Sequence, residues 1–245
     1  MMGRARSPGR SDVARLHGAS PTSSLSPSVR GSSLMRAGGF RVFEGMHDRA
    51  TFQALLADAL NKMSVATATD NAQDDGEEVR GGRPARRFLT APAGSTQAAA
   101  YAAPDLLTFL SGLAGTRLEP TGDAGTYSYY VRPGDFLALH RDIETCDLAV
   151  ITCLRDTLDS RRTDGALCLY PERSHEPMSR IRATPARGVV AIRLGPGQTL
   201  AMLGGVVPHA LLPVAPGQER IVSIVCYRIE GRRGAGTHVA PQPPH

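Results

Sequence analysis

His140-Arg141-Asp142 is followed sixty-nine residues later by His209 and eleven residues after that by Arg220. Two histidines and one carboxylate are the ligand set that holds non-haem Fe(II) while leaving open positions for a co-substrate and oxygen. His140 and Asp142 are two residues apart, and on an extended segment such residues project to the same face. Both can therefore reach one ion with little strain. His209 lies in a separate run, Val207-Pro208-His209-Ala210-Leu211-Leu212, which an antiparallel fold can bring back beside the first.

Each residue also has a plainer explanation. H-x-D pairs arise often by chance, and a lone histidine in an apolar run can be a hydrogen-bonded core residue. Order, strand context and Arg220 together favour the metal reading. His17, His47, His175, His238 and His245 sit in polar or tail-like segments. His175, in a charged loop, is expected to be solvent-exposed.

Arg220 opens the apolar run Arg220-Ile221-Val222-Ser223-Ile224-Val225-Cys226-Tyr227-Arg228. A surface arginine at a strand end is common. The functional alternative is a bidentate clamp on the distal carboxylate of 2-oxoglutarate, a task for which a planar guanidinium is better shaped than an ammonium. If Arg220 faces inward, so do Val222, Ile224 and Cys226, and Ser223 faces away. The enzymatic reading fails if His140 and His209 lie on opposite sides of the fold, or if Arg220 is buried against an internal acid.

The elements that must position these groups are legible in outline. The spacing of Phe52, Leu55, Leu56, Ala59 and Leu60 predicts a helix over 48–63, and Leu106, Leu107, Phe109, Leu110 and Leu113 predict one over 103–114. Residues 64–97 are polar and Gly-rich, with acids at Asp74, Asp75, Glu77 and Glu78, and read as loop. From Thr126 onward, β-rich runs alternate with Gly/Pro/Asp breaks: 126–132, 136–140, 147–154, 166–170, 188–194, 199–203, 208–214 and 219–229. Helices first and many short strands after predict a mainly β jelly roll with N-terminal supporting helices.

The 245 residues are enough for one domain, here placed at 44–230, with a basic leader at 1–43 and a tail at 231–245. Residues 1–43 carry seven arginines and one acid, a net of +6 out of the chain's +5, so the body is close to neutral. That argues against a nucleic-acid-binding body, which needs clustered basic charge. The leader's Arg/Ser/Gly/Pro composition reads as disordered; it also reads as an organellar transit peptide, or as the result of a wrongly chosen start codon, with Met35 or Met46 the true one. No apolar run approaches the length of a membrane span. Cys146, Cys153, Cys168 and Cys226 form no C-x-x-C pair, so free thiols and a reducing, cytoplasmic compartment are expected.

Taken together these residues resemble the Fe(II)/2-oxoglutarate-dependent dioxygenase superfamily, and within it the prolyl-hydroxylase-like branch. The resemblance rests on Tyr130; His140 and Asp142; Gly165-Ala166-Leu167-Cys168-Leu169-Tyr170-Pro171-Glu172; Pro208-His209-Ala210-Leu211-Leu212-Pro213-Val214; and Arg220. It covers roughly residues 126–230. It implies a double-stranded β-helix, Fe(II), 2-oxoglutarate and O2 as co-substrates, and a response to ascorbate. Tyr130 matches a family position that hydrogen-bonds 2-oxoglutarate, whereas the residues alone also allow Tyr127, Tyr129 and Tyr130 to be an aromatic patch packed on the sheet. A second family tyrosine is Leu137 here, and the family's Arg-x-Ser pattern is missing, since Ser223 is three residues past Arg220.

The intact carboxylate at Asp142 favours hydroxylation over halogenation; desaturation and ring closure stay open. The expected substrate is a small molecule such as an amino acid or specialised metabolite. A peptide or protein residue, as for a prolyl-type hydroxylase, and a cupin-type metal enzyme that ignores 2-oxoglutarate are the competing readings, with a non-catalytic binding module behind them. Segments 64–97 and 171–187 are candidate lids. Arg155, Arg161, Arg162, Arg173, Arg180 and Arg182 are candidate contacts for an acidic substrate, although loop arginines are more often simply solvated.

Overall fold

A computed structural model of the chain describes residues 25–73, 80–121, 125–158 and 162–231. The acidic patch at 74–78, Arg161, residues 1–24 and the tail beyond 231 lie outside the described residues. Elements run in chain order: α1 (Pro27–Arg30), α2 (Ser33–Arg36), β1 (Phe40–Glu44), α3 (Arg49–Lys62), β2 (Thr67–Asn71), β3 (Arg86–Pro92), α4 (Ser95–Tyr101), α5 (Pro104–Ala114), β4 (Leu118–Pro120), β5 (Thr126–Tyr130), β6 (Phe136–His140), β7 (Leu148–Asp156), β8 (Leu167–Leu169), α6 (Met178–Ala183), β9 (Val190–Ile192), β10 (Gln198–Met202), β11 (His209–Leu211) and β12 (Arg220–Ile229).

The strands form one antiparallel path, β1-β10-β7-β12-β5-β3-β6-β11-β8-β9, with β2 added on β3 and β4 on β12. The path curls over itself. One buried cluster joins Phe88 on β3, Tyr130 on β5, Cys153 on β7, Leu200 and Met202 on β10 and Val222 on β12 to Leu167 and Leu169 on β8 and Leu211 on β11. Strands distant along the path can share a core only if the two halves face each other, which is the jelly-roll arrangement expected from the strand spacing.

Alternation along the strands separates this interior from an outer face. On β5, Tyr127 and Tyr129 point outward and donate to Asp58 Oδ2 and Ala59 O of α3, each at 2.7 Å. Leu55 and Ala59 pack there with Ala91, Leu154 and Ile221. The aromatic patch is thus real for these two tyrosines, while Tyr130 belongs to the interior. Ser223 faces out and receives a hydrogen bond from Gln97 Nε2 at 2.7 Å, as strand alternation requires. The helices begin where the caps dictate. Asp48 accepts from Thr51 N at 2.7 Å, and Pro104 occupies the first turn of α5, where its missing N–H costs nothing.

Three expectations are corrected. Residues 25–43 are not leader. Ser26 and Ser32 cap two single-turn helices, and Leu25, Val29 and Leu34 are buried against Leu110, Leu113, Val150 and Tyr227. β1 then pairs along its whole length with β10, from Phe40↔Met202 to Glu44↔Gln198. The Ser/Gly/Arg composition hid three well-spaced apolar anchors that only the sheet makes useful. The described residues of 64–97 are not all loop either. β2 and β3 form a ladder from Thr67↔Thr90 to Asn71↔Arg86, and β3 continues the sheet to β5 and β6. Its polar residues fit because this part of the ladder has one solvated face.

Third, Cys146 and Cys226 are joined as a disulfide, with Cα atoms 5.0 Å apart and a sequence separation of 80. The β7–β12 ladder places Cys226 opposite Ala149, next to the loop that carries Cys146. No spacing rule reveals such a long-range pair, and the argument for a reducing compartment loses its premise at this pair. Cys153 and Cys168 are free and buried, as expected. No helix among the described residues is long and apolar enough to cross a membrane.

Leu34→Ala should lower the unfolding free energy by about 2–5 kcal/mol, the usual cost of a large-to-small change at a fully buried site. Urea denaturation measures it; a change below about 0.5 kcal/mol would return residues 25–43 to the leader.

Candidate metal centre

β6 ends at His140, and β11 begins at His209 directly opposite it in the antiparallel register. The two rings lie 4.1 Å apart, centroid to centroid. The next pair is Leu211↔Leu137, so β6 uses three residue steps where β11 uses two. This bulge re-aims the strand. It lets Leu137 and His140 line the same interior, although strict alternation would send them to opposite faces.

Asp142 follows on an extended turn, its N–H bonded to Gly204 O at 2.9 Å. Its Oδ1 sits 3.6 Å from His140 Nε2 and 3.5 Å from His209 Nε2. The three ligand atoms all lie within 4.8 Å of one another. Thus the three residues singled out from the sequence do converge. The intervening Arg141 points the other way and is buried, bonding Ser174 O and Glu176 O at 3.0 Å each.

The donor set fits a divalent cation. Each imidazole is turned by a backbone carbonyl: His140 Nδ1 to Ala138 O and His209 Nδ1 to Val207 O, both 2.9 Å. A neutral ring in that arrangement carries its proton on Nδ1 and aims the Nε2 lone pair at the centre. Donors around 2 Å from a shared ion sit roughly 3 Å apart, and the observed spacing is slightly wider. Electrostatics points the same way. Burial opposes the Asp142 charge, yet the His209 and His140 imidazoles hold its carboxyl well below the usual carboxylate range. Burial and the neighbouring His209 depress His140. Burial also acts against His209, but Asp142 outweighs it and the value rises. Three electron-pair donors meeting in a buried place call for positive charge between them: without a metal Asp142 draws a proton to His209, and a metal ion would take that proton's place.

Two residues missed in the sequence hold Asp142 in place. Gly204 has no side chain to spare: a Cβ there would stand 1.7 Å from Asp142 Oδ2. Arg80 lies over Gly205 and ties down the loop beyond Asp142, donating to Asp142 O (3.2 Å), Ile143 O (2.6 Å) and Cys146 O (2.7 Å) and pairing with Asp147 at 2.7 Å. The Gly204-Gly205 pair was a visible signal for close backbone approach; nothing in the sequence tied Arg80 to a loop 62 residues away.

From this centre an interior cavity of about 80 Å3 extends to Arg220 and Tyr130, walled by Leu137, Ile151, Leu167 and other apolar side chains. Arg220 and Tyr130 are register partners on β12 and β5. The Arg220 guanidinium does meet an internal acid: Nη1 is 2.7 Å from Asp156 Oδ2 and donates to Leu194 O at 3.2 Å. Arg220 is therefore buried against an internal acid, the arrangement that counted against the clamp, but Asp156 alone does not neutralise it. Asp156 is shared with Arg193 at 2.5 Å, so two guanidiniums face one carboxylate and one positive charge is left over. Arg220 Nε is buried without a hydrogen-bond partner. Burial raises the Tyr130 phenol well above its ordinary value, so it is a hydrogen-bond donor at any physiological pH.

The other arginines divide. Arg173 is buried in a knot with Glu176, Thr184 O and Arg187 O, and Arg187 also binds Glu176, which makes 171–187 a braced segment and removes Arg173 as a substrate contact. Arg155 pairs with Glu219, Arg162 with Asp164, and Arg182 donates to Leu139 O. Arg180 and His175 are exposed.

No protein-family model and no curated protein sequence matches the chain. Solved structures do. A prolyl hydroxylase from Trichoplax adhaerens, in complex with a hypoxia inducible factor peptide fragment, superposes with a TM-score of 0.58 at 16% identity, over 83% of this chain and 88% of that one. The non-haem alpha ketoglutarate dependent epimerase SnoN from nogalamycin biosynthesis gives 0.60 at 16% identity, covering 79% and 77%. EctD from S. alaskensis, with 2-oxoglutarate and 5-hydroxyectoine, gives 0.56 at 16% identity, covering 78% and 72%. At these identities the likeness establishes the fold: the double-stranded β-helix shared by 2-oxoglutarate-dependent non-haem iron oxygenases.

Gly204→Ala should weaken Fe(II) binding by about 10–100-fold, because the new methyl must displace the Asp142 carboxylate while its own backbone stays unstrained. Anaerobic metal titration of the folded variant measures this; wild-type affinity would show that Gly204 does not position Asp142.

Proposed function

We propose that this chain is an Fe(II)- and 2-oxoglutarate-dependent dioxygenase that hydroxylates a small molecule. The reading is carried by one observation: a single interior cavity has the His140–Asp142–His209 donor cluster at one end and the partly unsatisfied Arg220 guanidinium with Tyr130 at the other. A metal enzyme of this fold without 2-oxoglutarate has no use for a surplus buried cation at that distance from the metal. The neighbours in fold support the reaction class and differ in what they act on, which is why substrate identity is argued from this chain's own residues.

His140, Asp142 and His209 would hold the iron. Iron and O2, when bound, would supply the oxidising power, with 2-oxoglutarate giving up two electrons and leaving as succinate and CO2. The protein's part is placement. The two backbone carbonyls fix the ring tautomers, so each Nε2 stays a donor to metal. Asp142 cancels part of the metal's charge and leaves the remaining positions open. Arg220 would take the distal carboxylate of 2-oxoglutarate, and the Tyr130 hydroxyl would donate to the same ligand. Leu137, Ile151, Leu194 and Val222 keep water from the space between. Ascorbate would serve to return the iron to the ferrous state.

Purified anaerobically and given Fe(II), 2-oxoglutarate and then O2, the protein should form succinate, slowly even without its substrate. A His140→Ala/Asp142→Ala double variant should lose iron. Normal iron content in that variant would reject the ligand assignment. Arg220→Ala should raise the half-saturating 2-oxoglutarate concentration by about 100-fold, the scale of a lost buried charge pair, with iron content unchanged. Asp156 retains Arg193 in that variant, so the fold keeps its ion pair.

A further inference from the structure

We propose that Arg86, on β3 opposite the cavity-lining Leu137, binds a carboxylate of the substrate, so that the substrates are carboxylate-bearing small molecules. The identity of the reaction rests on the oxygenase reading; the binding does not.

Arg86 stands on β3 opposite Leu137 of β6, and cross-strand partners project to the same face. Leu137 lines the cavity, three residues before His140. Two residues along β3, Phe88 points the same way and contacts the Tyr130 ring at 5.0 Å. Arg86 therefore belongs to the interior face. It is partly covered, and its Nε is buried with no hydrogen-bond partner. Among the described residues no acid pairs with it, whereas its neighbours are all engaged: Arg80 with Asp147, Arg87 with Asp135 and Arg132 with Asp70. A buried N–H left unsatisfied costs about 1–3 kcal/mol. An aliphatic residue at this position would carry no such cost, so packing alone does not account for an arginine here.

The group is separate from the Arg220 clamp. β12, β5 and β3 are successive strands, so Arg220, Tyr130 and Arg86 span two inter-strand steps, about 10 Å. Both guanidiniums act on the Tyr130 phenol between them, after its burial and in the opposite sense. The Arg220 guanidinium is drawn to Asp156 of β7, on the side of β12 away from β5 and β3. The interior face thus offers two anion points, one on β12 for the co-substrate and one on β3 opposite Leu137 of the metal-bearing strand. A single planar guanidinium matches a carboxylate through two parallel hydrogen bonds. A phosphate site is usually assembled from several donors, and here there is one.

The test is titration calorimetry on the wild-type protein loaded with Fe(II) and 2-oxoglutarate, kept anaerobic. The probes are amino acids and hydroxy acids, each as the free acid and as its carboxamide, with inorganic phosphate alongside. Free acids should bind about tenfold or more tightly than their carboxamides. Arg86→Gln should weaken the acids by a similar factor and make acid and carboxamide equal, and Arg86→Lys should restore part of the preference. A merely structural Arg86 would not produce that loss of discrimination. Equal binding of acid and amide to the wild type, no binding of any free acid, preference for phosphate, or a loss in Arg86→Gln that falls on 2-oxoglutarate would each overturn the proposal. Succinate formation is measured separately. Acids that bind through Arg86 without any 2-oxoglutarate turnover would sink the oxygenase reading and leave this site standing.

Discussion

The arrangement depends on a convergence of electron-pair donors in a place where water cannot compensate for them. His140 Nε2, His209 Nε2 and an Asp142 oxygen face one another within a few ångströms, and each ring is held in that orientation by its own backbone carbonyl. Left alone, such a cluster is balanced only by a proton, which Asp142 draws to His209. It is tolerable with a cation at its centre, and the rigidity of its surroundings keeps it from relaxing otherwise. The cross-strand pairing of β6 and β11 sets the two rings beside each other, tilted by 54°, and the glycine at 204 leaves room for the carboxylate.

Much of the remaining structure serves that constraint from a distance. Arg80, from the hairpin ahead of the core strands, clamps the loop that carries Asp142. The Cys146–Cys226 disulfide fastens the far end of the same loop to β12, the strand that also presents Arg220. Arg141 buries its charge among carbonyls on the opposite side of the strand from the metal cluster. α3, α4 and α5, together with residues 25–36, cover the outer face of the sheet, so strands that are polar or aromatic outside stay in register inside. Burial of an apolar face thereby becomes accuracy at the site.

The ion pairs around Arg220 show how a charged side chain can be both structural and available. Its pairing with Asp156 would, in isolation, neutralise it. Arg193 shares the same carboxylate, which leaves the trio with one net positive charge facing an apolar cavity. An anionic ligand restores balance there without breaking the existing pair. Desolvated carboxylates and guanidiniums need such partners, and two guanidiniums on one acid provide half of the requirement in advance.

How much was legible beforehand follows from the range of the interactions. Local patterns carried the two main helices, the strands from Thr126 onward, the outward direction of Ser223, and the convergence of His140 and Asp142 on one face, since these depend on neighbours two to four residues apart. The motif order also pointed to His209 and Arg220, because a jelly roll leaves few ways to return a strand. What depended on distant partners was invisible: Leu25, Val29 and Leu34 became core only against α5 and the sheet, polar β2 became a strand only beside β3, and Cys146 met Cys226 across 80 residues. Asp156 as the shared partner of Arg220 and Arg193, the bulge that turns Leu137 inward, and the unsatisfied Arg86 beside it were likewise decided by the closed sheet, which alone brings residues far apart in the chain to within hydrogen-bond distance.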